Sequence, residues 1–272
     1  MLRYRETVWS GLFPGNRHTV VCVQPAVQAA ETALDLAPAP DGAEIAFDLA
    51  AQRRQRTVWR LDGGAGSDEQ VLWLLGRGYH VLAKGFNHKR AQALARRVQR
   101  WDPYRDVWLG EVAAPIDYGR PVRVFVKRRL EQGQWRHSYY LSSLALPSKR
   151  AYIALYDDRG AAEVEQFRND KSGLGLTARR KHDFLSQTAY ILLTDLAHNL
   201  LADFHHRALA GSRFEGYGPL RIVRDLLATP GRLFLSDGRL VRVELLSQKQ
   251  FSSDLANCLR KYCAEDWKCT SA

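Results

Sequence analysis

The clearest pattern in the chain is the run Thr-Val-Trp-Arg-Leu at 57–61, β-branched and aromatic, which stops at Asp62 and a glycine-rich turn. That predicts a strand ending in a loop. Ser67 and Asp68 stand where a helix cap belongs before "EQVLWLLGRG", "YHVLAKG" reads as another short strand, and "HKRAQALARRVQRW" as a basic helix. Upstream, Tyr4 to Phe13 alternates as a strand does and Pro14 to Asn16 makes a turn. A helix is then expected over "QPAVQAAETALDL", with Pro25 in its first turn and "APAPDGAE" as its break. From Trp101 to Ser148 the period changes to two, giving the strands "DVWLGEV", "PVRVFVKRRL" and "WRHSYYLSSLAL". Helical spacing returns in "SKRAYIALYDDRGAAEVEQFRNDK" and in "RRKHDFLSQTAYILLTDLAHNLLADFHHRAL", the latter a long helix expected to be mostly buried. "PLRIVRDLLA" predicts a shorter helix, and "RLFLSDGRLVRVELL" a hairpin turning at Asp237-Gly238. The segments are thus 1–85, 86–147 as a β-rich insertion, 148–246 as a helical part, and 247–272 as an appended tail without periodicity.

Composition adds a constraint on partners. With 272 residues and 46% hydrophobic content the chain can bury a sizeable core, while 40 Lys and Arg against 29 Asp and Glu leave a charge of +11. A polyanion, most commonly nucleic acid, is the partner such a charge favours, and a basic enzyme using charge only for solubility is the other possibility. No run reaches the length of a membrane span, and the basic start lacks the apolar stretch of a signal peptide, so a cytoplasmic location is expected. Cys22, Cys258, Cys263 and Cys269 show no zinc spacing with a paired histidine; free thiols in a loose tail are expected instead.

Two stretches carry chemistry. Asp62 ends a strand in a βα unit, where open α/β sheets place ligands, so its carboxylate is a candidate ligand for a hard metal; it also suits the start of a turn. In "YDDRGAAEVEQFRNDKSGLGL", Tyr156, Arg159 and Glu163 are spaced i, i+3 and i+7, one face of a helix. That face could hold a surface ion pair, or it could aim at one phosphate, with Glu163 on a metal ion, Arg159 on phosphate oxygens and Tyr156 hydrogen-bonded to the neighbouring strand.

The pair "VWRLDGGAGSDE" and "YDDRGAAEVEQFRNDKSGLGL" resembles the DDE transposases of bacterial insertion sequences, in the cut-and-paste branch with signature Y-x2-R-x3-E-x6-K and a β-rich insertion before the glutamate helix. The resemblance runs from about residue 4 to residue 246. It implies a ribonuclease-H-like α/β catalytic domain with Asp62 and Glu163 as the second and third acidic metal ligands. Arg159, Tyr156 and Lys171 are then the DNA-phosphate residues. The implied cofactor is Mg2+ or Mn2+, the implied partner DNA at transposon ends with a possible homo-oligomer and no membrane, and the implied chemistry is in-line phosphoryl transfer.

The match departs from the pattern in two places. The signature lysine falls on Asp170, with Lys171 one residue later and rotated by about 100° around the helix. No carboxylate matches the family's first aspartate; Glu6, the sole acid before Arg17, lies in the wrong context. The resemblance therefore implies a chain truncated at its N-terminus and inactive in strand cleavage, with the strand at 57–61 left with an unpaired edge. A non-catalytic basic module that binds DNA or an intact transposase is the alternative. Elsewhere, His198, His205 and His206 read as helix histidines in packing roles, and the basic helix His88 to Arg100 as a phosphate track or a solvated face.

Overall fold

A computed structural model describes residues 6–38, 49–159, 170–176, 182–247, 250–262 and 268–271. The protein is mixed α/β and divides into two compact units, Gly11–Ala161 and Met1–Ser10 with Ala162–Ala272.

The first unit is built on one six-stranded sheet. Helices α1 (Val20–Ala33) and α2 (Leu49–Gln55) precede strand β1 (Val58–Leu61), α3 (Asp68–Gly76), β2 (His80–Lys84) and α4 (His88–Arg97). Strands β3 (Asp102–Tyr104), β4 (Val107–Val112), β5 (Arg123–Glu131) and β6 (Gln134–Ser142) follow, and then helix α5 (Lys149–Arg159). The strand order is β1-β2-β6-β5-β4-β3, with β1 parallel to β2 and the remaining pairs antiparallel. The strands of 86–147, expected from sequence to be a β-rich insertion, lie in one sheet with β1 and β2, because β6 takes up the hydrogen bonds at the edge of β2. Among the described residues β1 is an edge strand.

The two-residue period of the strands sorts their side chains onto two cores. Val81, Ala83, Val124, Val126, Tyr139 and Leu141 join the buried residues of α1, α3 and α4, whereas Leu82, Phe125 and Tyr140 face Tyr152, Ile153 and Tyr156 of α5. On the α4 side a buried carboxylate, Glu31, is bonded to both Arg77 and the Tyr79 hydroxyl. Burial and the bond to Glu31 push Tyr79 upward in pKa.

In the second unit α6 (Phe184–Phe204) runs on into a π-turn, His205–Leu209. Helix α7 (Pro219–Arg221) continues as a π-turn over Ile222–Leu227; strands β7 (Gly231–Ser236) and β8 (Arg239–Leu245) form the expected hairpin, and Asp237 and Gly238 both have positive φ at its tip. Helix α8 (Ser252–Tyr262) and strand β9 (Lys268–Ser271), parallel to β8, complete it.

Four expectations are corrected here. Residues 6–13 form no strand; the main-chain N–H and C=O of Thr7 are paired with the side-chain amide of Asn199, at 2.7 and 2.8 Å, instead of with a neighbouring strand. Helix α1 starts at Val20, so Pro25 sits in its interior: burial of Val23, Val27 and Ala30 on one face outweighs the hydrogen bond that proline cannot donate. Helix α6 is not mostly buried. Its inner face carries Gln187, Thr194, His198, Leu201 and Phe204, while Leu192, Leu193, Leu196 and Leu200 are more than half exposed. Finally, within 247–272, expected as a loose tail, the described helix α8 is packed. Leu255, Ala256 and Cys258 on one face of α8 are buried with Leu201, Phe204 and Phe214, so the Cys258 thiol is a core group.

Candidate functional site

Parallel strands β1 and β2 end side by side at Leu61 and Lys84, in register from Val58 opposite His80. Asp62 follows directly and is exposed. Its Oδ1 accepts the Gly64 N–H at 2.9 Å, and its carbonyl accepts the N–H groups of Ala65 and Gly66, which folds 62–67 into a tight turn over the end of β2. Ser67 then caps α3 by accepting the Gln70 N–H. The turn needs glycine at 66, where a Cβ would lie 2.0 Å from the Lys84 carbonyl oxygen.

Helix α5 brings Tyr156, the start of the second motif, to the same sheet. Tyr156 is buried edge-on against Tyr140 of β6 at 4.8 Å. Arg60, two residues before Asp62, donates to the Leu155 carbonyl at 3.2 Å and lies 3.7 Å from Asp158. The C-terminal half of α5 is therefore fastened to the strand that ends at Asp62. Arg159 closes the helix; its side chain, and Glu163 altogether, lie outside the described residues. Lys171 is exposed in the second unit. Beside it Asp170, the residue at the signature lysine position, is buried and bonded to Nδ1 of His198 at 2.9 Å, a packing role for that histidine.

A cavity of about 380 Å³ opens on the α5 face of the sheet, lined among others by Lys84, Lys127, Arg129, Arg136, Ser138 and Asp157. Lys127 lies over the Tyr140 ring at 5.3 Å, and Arg129 pairs with Asp106 at 2.6 Å. Lys84, Lys127 and Arg136 have no ion-pair partner among the described residues. These cations escape a motif search, although the strand "RVFVKRRLE" places Lys127 and Arg129 two apart and so on one face.

On the opposite face, Arg128 is held between the rings of Trp101, Trp135 and Trp108 at 4.2, 4.4 and 5.5 Å, and burial lowers its pKa. His137 also titrates below its ordinary value, through burial, then Arg128 and His88. The basic helix is less free than its sequence suggests, since Arg90 is paired with Asp68, which also accepts the Tyr118 hydroxyl at 2.7 Å. Lys89, Arg96 and Arg97 are exposed.

Asp62 offers one carboxylate oxygen outside its turn, yet among the described residues no group of three or more His, Cys, Asp or Glu side chains could hold a metal ion. No described helix is long and apolar enough to cross a membrane. Fold and site together define a mixed α/β protein with an exposed strand-end carboxylate beside a cation-lined cavity. Comparison with protein-family models and with curated proteins found no match.

Proposed function

We propose that this chain is a DNA-handling protein of the DDE transposase type, with a ribonuclease-H-like catalytic domain in which Asp62 and Glu163 are the acidic residues and Arg159 contacts phosphate. The observation that carries the proposal is the attachment of α5 to β1. Through the contacts of Arg60 with Leu155 and Asp158, the helix bearing Tyr156 and Arg159 is held on the strand that presents Asp62. Tyr156, buried on Tyr140, orients that helix. A divalent ion, when bound by Asp62 and Glu163, would supply charge stabilisation at the phosphoryl group. Two matched carboxylates fall short of the three that a two-ion site uses, so DNA binding without strand cleavage is the expected behaviour.

The second reading, a basic DNA-binding module without chemistry, is favoured by the unpaired cations of the cavity. One experiment separates the two. Supercoiled plasmid is incubated with the protein in Mg2+ or Mn2+, beside an Asp62→Ala control, and a labelled duplex is titrated at two salt concentrations. Salt-sensitive binding with no nicking is expected. Nicking that disappears in Asp62→Ala would establish a complete catalytic site, and failure to bind duplex at low salt would sink both readings.

A further inference from the structure

The cavity on the α5 face holds an arrangement that the fold alone does not explain. In the β5–β6 register Arg129 stands directly opposite Arg136, and Lys127 opposite Ser138. Like charges directly across an antiparallel pair cost stability. Asp106 offsets Arg129, but Arg136 has no such partner among the described residues, and neither do Lys127 and Lys84. Lys127 and Arg129 lie on one face of β5, about 6.8 Å apart by strand geometry, a repeat comparable with the spacing of neighbouring phosphates along one DNA strand. Lys84 ties this face to the Asp62 turn, because its side chain passes 3.9 Å from where a Cβ on Gly63 would stand. The Ser138 hydroxyl adds a neutral donor between the cations.

We infer that this cavity is a phosphodiester subsite, in which Lys84, Lys127 and Arg136 hold the backbone of duplex DNA beside Asp62. The inference rests on the DNA-handling reading above and assigns that reading a place on the molecule. Phosphate is favoured over a carboxylate partner because the cavity's cations, Lys84, Arg105, Lys127, Arg129 and Arg136, are spread over adjoining strands and the β3–β4 turn and outnumber its carboxylates, Asp106, Glu131 and Asp157, which suits a repeating polyanion.

The test is a fluorescence-anisotropy titration of a labelled duplex of about 20 base pairs, run at two or more salt concentrations. Four proteins are compared: the full chain, Lys127→Glu/Arg136→Glu, the milder Lys127→Gln/Arg136→Gln, and Arg53→Glu/Arg56→Glu, which makes the same charge change at two exposed positions, Arg53 in α2 and Arg56 in the turn that follows it. Circular dichroism checks that each is folded. The charge-reversed cavity variant should bind at least about tenfold more weakly, with a log–log salt slope smaller by roughly 2. The glutamine variant should fall between it and the full chain, and the Arg53→Glu/Arg56→Glu variant should stay within about twofold. If the full chain binds and both cavity variants bind within about twofold of it, the subsite is wrong while DNA handling survives. If the full chain binds no duplex, the parent reading falls and the subsite with it. Calorimetry with inorganic phosphate tells the two phosphate sources apart: a phosphate site lost in the cavity variants, with duplex binding unchanged, would make this a small-anion pocket and overturn the inference.

Discussion

His137 shows what a single side chain contributes to the behaviour of its strand. Its Nδ1 is buried without a hydrogen-bond partner, and burial, Arg128 and His88 together hold its pKa below the ordinary 6.5. A histidine depressed in the folded state binds its proton first in the unfolded chain. Stability should therefore be lost as pH falls from about 6.5 toward the depressed value, with a slope of at most about 1.4 kcal/mol per pH unit. Unfolding midpoints measured between pH 7 and 5.5 should decline in the full chain and decline less in His137→Gln; parallel declines would show that another group is responsible. Little of this is legible in the sequence. The motif residues announce themselves by spacing, but His137, Lys127 and Arg136 acquire their surroundings from β4, β5 and β6 brought side by side. Arg128 reads as one more surface cation until Trp101, Trp108 and Trp135 are seen around it.

At the level of elements, the strand, turn and helix at 57–76 were readable because propensity, cap and turn chemistry agree there, and Ser67 does cap α3. What the sequence leaves open is how closely the turn approaches β2. Gly66 has no room for a side chain: its Cβ would stand 2.0 Å from the Lys84 carbonyl oxygen and 2.9 Å from the carbonyl carbon, both backbone atoms of a paired strand. Gly66→Ala must lift the turn and with it Asp62, so a loss of about 1–3 kcal/mol is expected in urea unfolding. Gly76→Ala, where nothing lies within 4 Å, should be neutral or stabilising by up to about 1 kcal/mol. Equal stability of the two variants would mean that the turn does not rest on β2. The converse holds at Tyr4–Phe13, whose alternation predicts a strand that the described residues 6–13 do not form. Alternation reports which side chains can face a core, but a strand also needs a neighbour for its main chain, and Asn199 supplies that pairing from a side chain.

For the molecule as a whole, the excess of positive charge was plain from composition, whereas the extent of the second core was not. The segment after Ser247 does carry a helical period, at Phe251, Leu255, Cys258, Leu259 and Tyr262, but over a single short helix set among cysteines. In the fold Leu255 is 2% exposed and Cys258 5%, and they close a core that includes Phe204, Phe214, Ile222 and Leu226. Tyr262 adds a hydrogen bond to Asp203 at 2.8 Å and an edge-on contact with Phe204, and Lys261 donates to the Ala210 carbonyl at 3.0 Å. Helix α8 is thus a structural member of the second unit, and removing its anchor should open that unit's core. Leu255→Ala is expected to cost about 2–5 kcal/mol, as truncation of a fully enclosed leucine does, and to raise binding of a dye that reports exposed apolar surface. A Leu255→Ala protein that unfolds within about 0.5 kcal/mol of the full chain would place α8 outside the core and return 247–272 to the status of an appendage.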